Sequence, residues 1–286
     1  MKQTDWIYAY ASIIGSGHLI NNTNCQDYCE VHDFDNYIIA VVSDGAGSCE
    51  HSEKGSRLVA SVSVPHFYNA VKENGWNENK ELPNEDEWQH IAIKTLRRIR
   101  EDLYNYSIAQ QLEFKSLSCT VIVVIAFKHG LLVTHIGDGR AGYCNVNLLW
   151  KSMIKPFHGE LANQTVFITS DIWYEEVVDT YIESNVVKED VRAFCLLSDG
   201  CEKASFECNL YDKEKQAYFD PNRPFSLFFN PNVTALQQLS EQKQSQEEIN
   251  LLWEKFLTAG TEKLKLESDD KTLILAIKAD NKISES

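Results

Sequence analysis

Aspartates recur beside apolar runs in this 286-residue chain. The four motifs lie at residues 43–47 (Ser-Asp-Gly-Ala-Gly), 137–140 (Gly-Asp-Gly-Arg), 198–200 (Ser-Asp-Gly) and 269–270 (Asp-Asp). An apolar run bounded by Gly predicts a buried strand, which places its end at the rim of a sheet. One Asp-Gly is an ordinary turn, but several carboxylates gathered at one rim repel one another unless cations neutralise them. Oxygen ligands favour hard ions, so the motifs predict a dinuclear Mg²⁺ or Mn²⁺ site.

The composition limits the classes of function. A formal charge of −15 argues against nucleic acid or an anionic membrane as a general partner. The eight cysteines include no Cys-x-x-Cys motif and no zinc-type pairing with histidines. The first residues lack the apolar segment of a signal peptide, and no apolar run approaches the roughly 20 residues needed to span a bilayer. We therefore expect a cytoplasmic protein in a reducing environment.

The predicted elements come as groups of strands and helices. Strands are predicted at 6–14, 28–32, 37–43, 118–127, 131–136, 140–146, 148–154, 192–197 and 271–278, and helices at 52–74, 88–112 and 235–259. Pro65 is expected to bend or interrupt the first helix. The segment 75–87 is predicted to be a loop, and 203–233 an irregular, aromatic-rich stretch.

This order is not a strict alternation of strands and helices. It predicts an α+β protein in which antiparallel sheets are flanked by helices. Neither a linker nor an internal repeat divides the chain. We expect one domain over residues 1–286, with a core at about 6–278 and a loose tail at 279–286.

The motifs resemble those of the metal-dependent protein phosphatases, the type 2C serine/threonine class, and especially its bacterial branch. The stretches at 43–47 and 136–140 are similar to the family's Asp-Gly-x-Gly and Val-Gly-Asp-Ser-Arg motifs. Those at 197–200 and 269–272 match its Ser-Asp-Gly and Asp-(Asn/Asp)-x-Thr motifs, 25–27 (Cys-Gln-Asp) lies where the family has Glu-Asp or Gln-Asp, and 118–120 (Ser-Cys-Thr) matches a stretch before a strand. These matches follow the family's order from residue 15 to 277. The resemblance implies a four-layer α-β-β-α sandwich with the site at one end.

The resemblance also implies a set of metal ligands. Asp44 would bridge two ions, and the carbonyl of Gly45 would bind the second. Asp199 and Asp269 would hold the first ion. Asp138, together with Asp199, would hold a third, weaker ion. Adjacent side chains on a strand point in opposite directions, so only one member of the 269–270 pair should reach the metals, and motif position selects Asp269.

The same resemblance assigns catalytic roles near the N-terminus. Asp27 would orient metal-bound water, and Gln26 would assist more weakly than the Glu common in the family. Human-type members bind phosphate with an Arg a few residues earlier, whereas residues 18–24 contain no Arg. His18 would replace it only in part, because Arg offers a bidentate fork and a fixed charge. Gly139 stands where the family has Ser.

Structural roles compete with the catalytic ones at several positions. Each acidic motif alone is compatible with a turn, and Asp27 with a turn-capping role. His18 is also compatible with a hydrogen-bonded loop position, and His51 with a helix start. Arg140 is expected to form a structural ion pair. The aromatic stretch at 218–229 is compatible with either a substrate flap or core packing.

The leading hypothesis is a Mg²⁺/Mn²⁺-dependent phosphoserine/phosphothreonine protein phosphatase that uses metal-activated water. Its partner would be a phosphorylated protein, with a Ser/Thr kinase acting in opposition. The alternative from another class is a pseudophosphatase, catalytically weak or inactive, that uses the same fold as a binding or regulatory module. A small-molecule phosphatase would differ only in its substrate.

Overall fold

A computed structural model describes residues 5–78, 81–157, 165–174 and 178–279. Nearly all of the predicted tail at 279–286 lies outside these residues. The helices are α1 (Ser16–Asn21), α2 (Ser52–Glu73), α3 (Glu85–Gln110), α4 (Glu202–Ser205), α5 (Ser226–Glu241), α6 (Gln246–Ala259) and α7 (Glu262–Leu266). Short 3₁₀ turns lie at Phe114–Leu117, Asp171–Tyr174, Val178–Thr180 and Asp199–Cys201.

Two five-stranded antiparallel sheets form the centre of the molecule. The strands are β1 (Trp6–Ile13), β2 (Tyr28–Phe34), β3 (Tyr37–Ser43), β4 (Val121–Phe127), β5 (Gly130–Ile136), β6 (Arg140–Asn145), β7 (Trp150–Ser152), β8 (Glu183–Val187), β9 (Val191–Leu197), β10 (Phe206–Glu207), β11 (Leu210–Asp212), β12 (Ala217–Phe219), β13 (Arg223–Pro224) and β14 (Lys271–Lys278). The first sheet has the order β2-β3-β4-β5-β8, and the second β1-β14-β9-β6-β7. The pairs β10–β13 and β11–β12 form two small ribbons.

The packing makes four layers. Ile39 and Val41 of β3 face the core formed with α2 and α3, whereas the alternate residues Ile38 and Val42 face the second sheet. A strand buried on both faces needs apolar residues at every position, which explains the continuous apolar run. On the far side, α5 and α6 cover the second sheet through residues such as Phe229 and Trp253. The expected α+β four-layer sandwich is confirmed.

Two helix predictions in the first half need correction. The helix α2 runs from Ser52 to Glu73 with Pro65 inside it, so the proline does not interrupt it. The helix α3 begins at Glu85, three residues before its predicted start. The side chain of Asn84 accepts a hydrogen bond from the Glu87 backbone and caps this helix, so the predicted loop at 75–87 was too long.

The predicted single helix at 235–259 was wrong. The chain forms α5 and α6 instead, separated by residues 242–245. Ser245 and Glu248 form a reciprocal capping box that starts α6. Leu252, in α6, is 44% exposed. The helix α5 begins at Ser226, inside the stretch predicted to be irregular.

Three further elements differ from the sequence prediction. The helix α1 follows Gly15, where only the end of a strand was expected. The strand β8 lies in a segment whose apolar pattern was too weak to assign. The strand β4 begins at Val121 rather than 118. Among the described residues, no helix has the length and apolar character needed to cross a membrane.

Candidate metal centre

The strand registers bring the four acidic motifs to one rim. In the first sheet, Tyr28 pairs with Ser43, so the residues before β2 and after β3 are neighbours. In the second sheet, Leu197 pairs with both Arg140 and Leu273. The turn at 137–139, the loop after β9 and the segment before β14 therefore meet at the same edge. Asp44, Asp138, Asp199 and Asp269 lie in these connections.

Thr120 fixes the backbone around Asp44. The Thr120 N–H donates to the Asp44 carbonyl at 2.8 Å, and the Asp44 N–H donates to Thr120 Oγ1 at 3.1 Å. Ser43 Oγ donates to the Thr120 carbonyl at 2.6 Å. The segments around Asp44 and Thr120 are thus joined on both sides of the aspartate. This limits the directions in which its carboxylate can point.

Gly45 brings the same loop against the segment that carries Gln26. Its N–H donates to the Gln26 carbonyl at 3.1 Å. A Cβ at position 45 would lie 2.7 Å from that carbonyl oxygen and 2.9 Å from the backbone of Ser52. No side chain fits between these two backbones, so glycine is required here by close approach.

Asp27 is held by a group from the opposite sheet. Ser198 Oγ donates to Asp27 Oδ2 at 2.6 Å and accepts from the Thr272 N–H at 3.1 Å. Burial raises the pKa of Asp27 to about 7, and the nearby charges of Asp270 and Asp269 act in the same direction. The hydroxyl of Ser198 opposes this rise. Asp27 is therefore an oriented, buried carboxyl group beside other acids.

Gln26 has one amide atom that remains unsatisfied. Its backbone N–H donates to Asp270 Oδ2 at 2.6 Å, and Nε2 donates to Ser52 Oγ at 2.7 Å. Its Oε1 is buried without a hydrogen-bond partner among the described residues. A Cβ built on Gly47 would lie 3.8 Å from Oε1, so this acceptor faces the loop that follows Asp44. A buried acceptor without a donor is costly unless an ion or water meets it.

The remaining carboxylates repel one another. Burial raises the pKa of Asp44 well above its ordinary value. The negative charges of Asp27, Asp199, Asp138 and Asp269 raise it further. Burial also raises the pKa of Asp199 to about 8, with Asp138 and Asp269 as the next causes. Like charges gathered in a partly buried site are stabilised by a cation. The five carboxylates predicted from the sequence thus share one electrostatic site.

The donor atoms fit hard divalent ions in their chemistry. They are carboxylate oxygens and the Gly45 carbonyl, which was predicted as a ligand. In the described residues, no three Asp, Glu, His or Cys side chains are close enough together to ligate one ion.

Asp269 and Asp270, which lie just before β14, have different environments. Asp270 is 2% exposed and accepts from the N–H groups of Gly15 at 2.7 Å and Gln26 at 2.6 Å. Asp269 is exposed at the rim. Asp270 therefore joins three chain segments, whereas Asp269 is the member of the pair with access to an ion. The assignment of Asp269 as a ligand remains a prediction.

His18 lies on α1, the helix that the sequence did not reveal. Its Nδ1 is 2.9 Å from Asp270 Oδ1. The ring therefore lies against the carboxylate that organises the Gln26 segment, although Nδ1 makes no hydrogen bond with the described residues. This contact agrees with a structural histidine, and a catalytic role for His18 remains a prediction.

Arg140 forms the ion pair that the sequence predicted. Its guanidinium is 1% exposed and donates to Glu202, Asp220 and Asn222 at 2.8–2.9 Å.

His51 lies at the start of α2, as its alternative role predicted. The aromatic stretch at 218–229 divides between two environments: Tyr218 is 74% exposed on a small ribbon, and Phe229 is fully buried.

Four residues that organise the site had no predicted role. They are Thr120, Ser198, Ser52 and Asp270. Three of them lie inside or beside the quoted motifs, and their polar side chains at the ends of buried strands were the available signal. Hydrogen-bond partners far apart in sequence gave no such signal, because the contacts depend on how the two sheets meet.

Comparisons with known proteins identify the family of this chain. Residues 14–252, most of the chain, match the family described as protein phosphatase 2C. The chain belongs to the protein phosphatase 2C family. It is 26% identical to serine/threonine-protein phosphatase 3 of Escherichia coli (strain K12), with 96% of this chain and 99% of that protein covered.

Solved structures share the fold at low sequence identity. A bacterial serine phosphatase aligns with a TM-score of 0.57 at 15% identity, covering 96% of this chain and 99% of that one. A serine-threonine phosphatase 2C from Toxoplasma gondii also gives 0.57, at 13% identity, with 95% and 94% covered. The fold class predicted from the sequence is therefore found in phosphatases of this type.

Proposed function

We propose that this protein is a Mg²⁺/Mn²⁺-dependent phosphatase that hydrolyses phosphoserine and phosphothreonine in proteins. The observation that carries the proposal is the convergence of Asp44, Asp138, Asp199 and Asp269 at one rim, where their charges oppose one another. Membership of the protein phosphatase 2C family supports the same conclusion.

The residues divide between two ions and a third, weaker one. Asp44 and the Gly45 carbonyl would serve the pair, Asp199 and Asp269 would hold the first ion, and Asp138 with Asp199 would hold the third. Two divalent ions, when bound, lower the pKa of water and neutralise charge on the phosphoryl oxygens. No covalent nucleophile from the protein is then required.

The protein's own groups position the reactants. Asp27 accepts a hydrogen bond from the attacking water, and Ser198 holds Asp27 in place for this role. Gln26 presents Oε1 toward the loop after Asp44 and assists in orienting that water. Both residues are 5% exposed, so bulk water does not compete strongly for them.

The segment before Gln26 offers little positive charge for binding phosphate. In residues 18–24, His18 is the sole basic side chain, and it lies against Asp270. This feature favours a second candidate function, a pseudophosphatase that binds a phosphoprotein without efficient hydrolysis. The retained carboxylates favour catalysis, because a binding module gains nothing from several partly buried acids that repel one another.

One assay separates these two functions. The wild-type protein should hydrolyse a phosphothreonine peptide with Mn²⁺, and EDTA or Asp199→Ala should abolish the activity. Asp35→Ala is the matched control, since Asp35 is exposed in the turn between β2 and β3 at the opposite rim. Activity that persists in EDTA and in Asp199→Ala contradicts the metal mechanism. Mn²⁺ binding by calorimetry without any hydrolysis supports the pseudophosphatase.

The adjacent aspartates offer a sharper test of ligand assignment. Asp269→Asn should weaken Mn²⁺ binding with little change in thermal stability. Asp270→Asn should instead destabilise the fold, because Asp270 accepts from two buried backbone N–H groups; the expected cost is about 1–3 kcal/mol. Calorimetry for binding and thermal melts for stability measure the two effects. The reverse pattern would assign the ligand role to Asp270.

The proposed setting is the bacterial cytoplasm, with a phosphorylated protein as substrate and a Ser/Thr kinase acting in opposition. The acidic net charge supports the absence of nucleic acid and anionic membranes among the partners.

A further inference from the structure

The helix α1 carries two of the most exposed large apolar side chains in the described structure. Leu19 is 61% exposed and Ile20 is 84% exposed. Leu266, at the end of α7, is 76% exposed. Single exposed leucines are common on protein surfaces, but neighbouring ones mark interaction sites. We call these three residues the apolar rim.

Hydrogen bonds fix α1 beside the candidate metal centre. The Gly17 N–H donates to the Ser268 carbonyl at 2.9 Å, and Ser16 Oγ donates to the Glu267 carbonyl at 3.2 Å. These contacts place α1 against the segment between Leu266 and Asp269. His18 lies 2.9 Å from Asp270 on the same helix. The helix α1, which carries Leu19 and Ile20, therefore lies beside the segment that bears Asp269 and Asp270 of the candidate metal centre.

Packing of the fold does not account for α1. All six of its described residues are at least partly exposed, and its outer face presents Leu19 and Ile20 to solvent. His18 is its only ionisable residue, in a chain where 24% of residues are charged. An uncharged, apolar face at the mouth of an acidic site favours an apolar neighbour over a charged one, because a charge would lose hydration there.

We propose that the apolar rim selects substrates, by contacting a large apolar residue within two positions of the phosphorylated serine or threonine. This inference rests on the proposed phosphatase function and names its substrate class. The phosphoryl group lies at the carboxylates, and the flanking segment of the substrate crosses α1. Burial of the apolar flanking side chain against Leu19 and Ile20 supplies the preference.

Two phosphothreonine peptides test the preference, one with Leu and one with Ser beside the phosphothreonine. The wild-type protein should favour the Leu peptide by about tenfold in kcat/KM, mainly through KM, as expected for one apolar side chain. Leu19→Ser combined with Ile20→Ser should reduce this ratio to about twofold. Hydrolysis of p-nitrophenyl phosphate, which has no flanking residue, should be unchanged. Peptide affinity by fluorescence anisotropy should follow the same order.

Matched variants exclude general effects. Leu251→Ser with Leu252→Ser removes two exposed leucines from α6, on the outer layer of the sandwich, and should keep the tenfold ratio. Leu19→Met with Ile20→Met keeps an apolar rim and should retain most of the tenfold preference for the Leu peptide. A wild-type protein that treats both peptides alike overturns the inference, as does a Ser variant that keeps the full preference. Dissolution of a dimer by the Ser variant, with no change in the ratio, overturns it in favour of self-association.

The two proposals fail in different ways. Absence of Mn²⁺-dependent p-nitrophenyl phosphate hydrolysis contradicts the proposed function. Normal hydrolysis of that compound, without discrimination between the peptides, contradicts only the role of the apolar rim.

Discussion

Asp138 and Arg140 are two positions apart in the chain but belong to two charged clusters that differ in how their charge is balanced. In the Arg140 cluster, one guanidinium meets Glu202, Asp220 and Asn222 at hydrogen-bonding distances. In the aspartate cluster, Asp44 and Asp199 meet further carboxylates, which raise their pKa values in addition to the effect of burial. The charge of Arg140 is balanced by acidic side chains of the protein, whereas the aspartate cluster brings together charges of one sign.

The difference separates a structural role from a functional one. A buried ion pair with satisfied hydrogen bonds joins elements of the fold, as Arg140 joins β6 to the segment at 220–222. A set of partly buried acids that repel one another weakens the fold, and a bound cation would offset this repulsion. Charged residues near each other in sequence can therefore have opposite consequences for stability.

The largest expected effect comes from the aspartate cluster. Asp44→Asn removes the proposed bridging ligand and should lower Mn²⁺-dependent kcat by about a thousandfold, equivalent to about 4 kcal/mol in activation free energy. The same change should leave the metal-free protein as stable as the wild type or more so, because it relieves repulsion. Steady-state kinetics and thermal melts in EDTA measure the two results. Lost activity together with a lower melting temperature in EDTA would contradict the separation of roles.

The next effect concerns the Arg140 cluster. Arg140→Met should lower the free energy of unfolding by about 3 kcal/mol, because it leaves the partner carboxylates of a buried pair unbalanced. Adding Glu202→Gln and Asp220→Asn should restore part of this loss. Urea denaturation of the single and triple variants measures the coupling. Equal stability of Arg140→Met and the wild type would show that the cluster is not structural.

A smaller effect should appear in the pH dependence of the metal-free protein. Asp27 and Asp199 have pKa values of about 7 and about 8 in the fold, against about 4 in an unfolded chain. Between about pH 4 and pH 8 the folded state therefore binds more protons than the unfolded chain does. The free energy of unfolding should fall as the pH rises through this range. Denaturation in EDTA across this range tests the sign. Asp27→Asn with Asp199→Asn should flatten the slope, and an unchanged slope in that variant would assign it to other groups.

The sequence predicted the parts of the fold and site that depend on local pattern. The apolar run at 37–43 marked β3 because both of its faces are buried. Asp44 and Asp199 followed such runs, so their position at a sheet rim could be inferred before any contact was known. The order of the motifs supplied the family, which the match over residues 14–252 confirmed.

The parts that were missed depend on contacts distant in sequence. The break between α5 and α6 contains neither Gly nor Pro, and only the Ser245–Glu248 capping box indicated it. The helix α1 begins with Ser16-Gly17, which local propensity assigns to a loop, and it is held by hydrogen bonds to residues 267–268. The bond from Ser198 to Asp27 spans 171 positions, so no local pattern announces it.

A crystal soaked in Mn²⁺ tests the central claim most directly, through anomalous diffraction at the manganese edge. We expect at least two anomalous peaks at the rim, with Asp44 between two ions and Asp199 and Asp269 on one of them. A well-ordered rim without anomalous density, its carboxylates turned away from one another at saturating Mn²⁺, would contradict it.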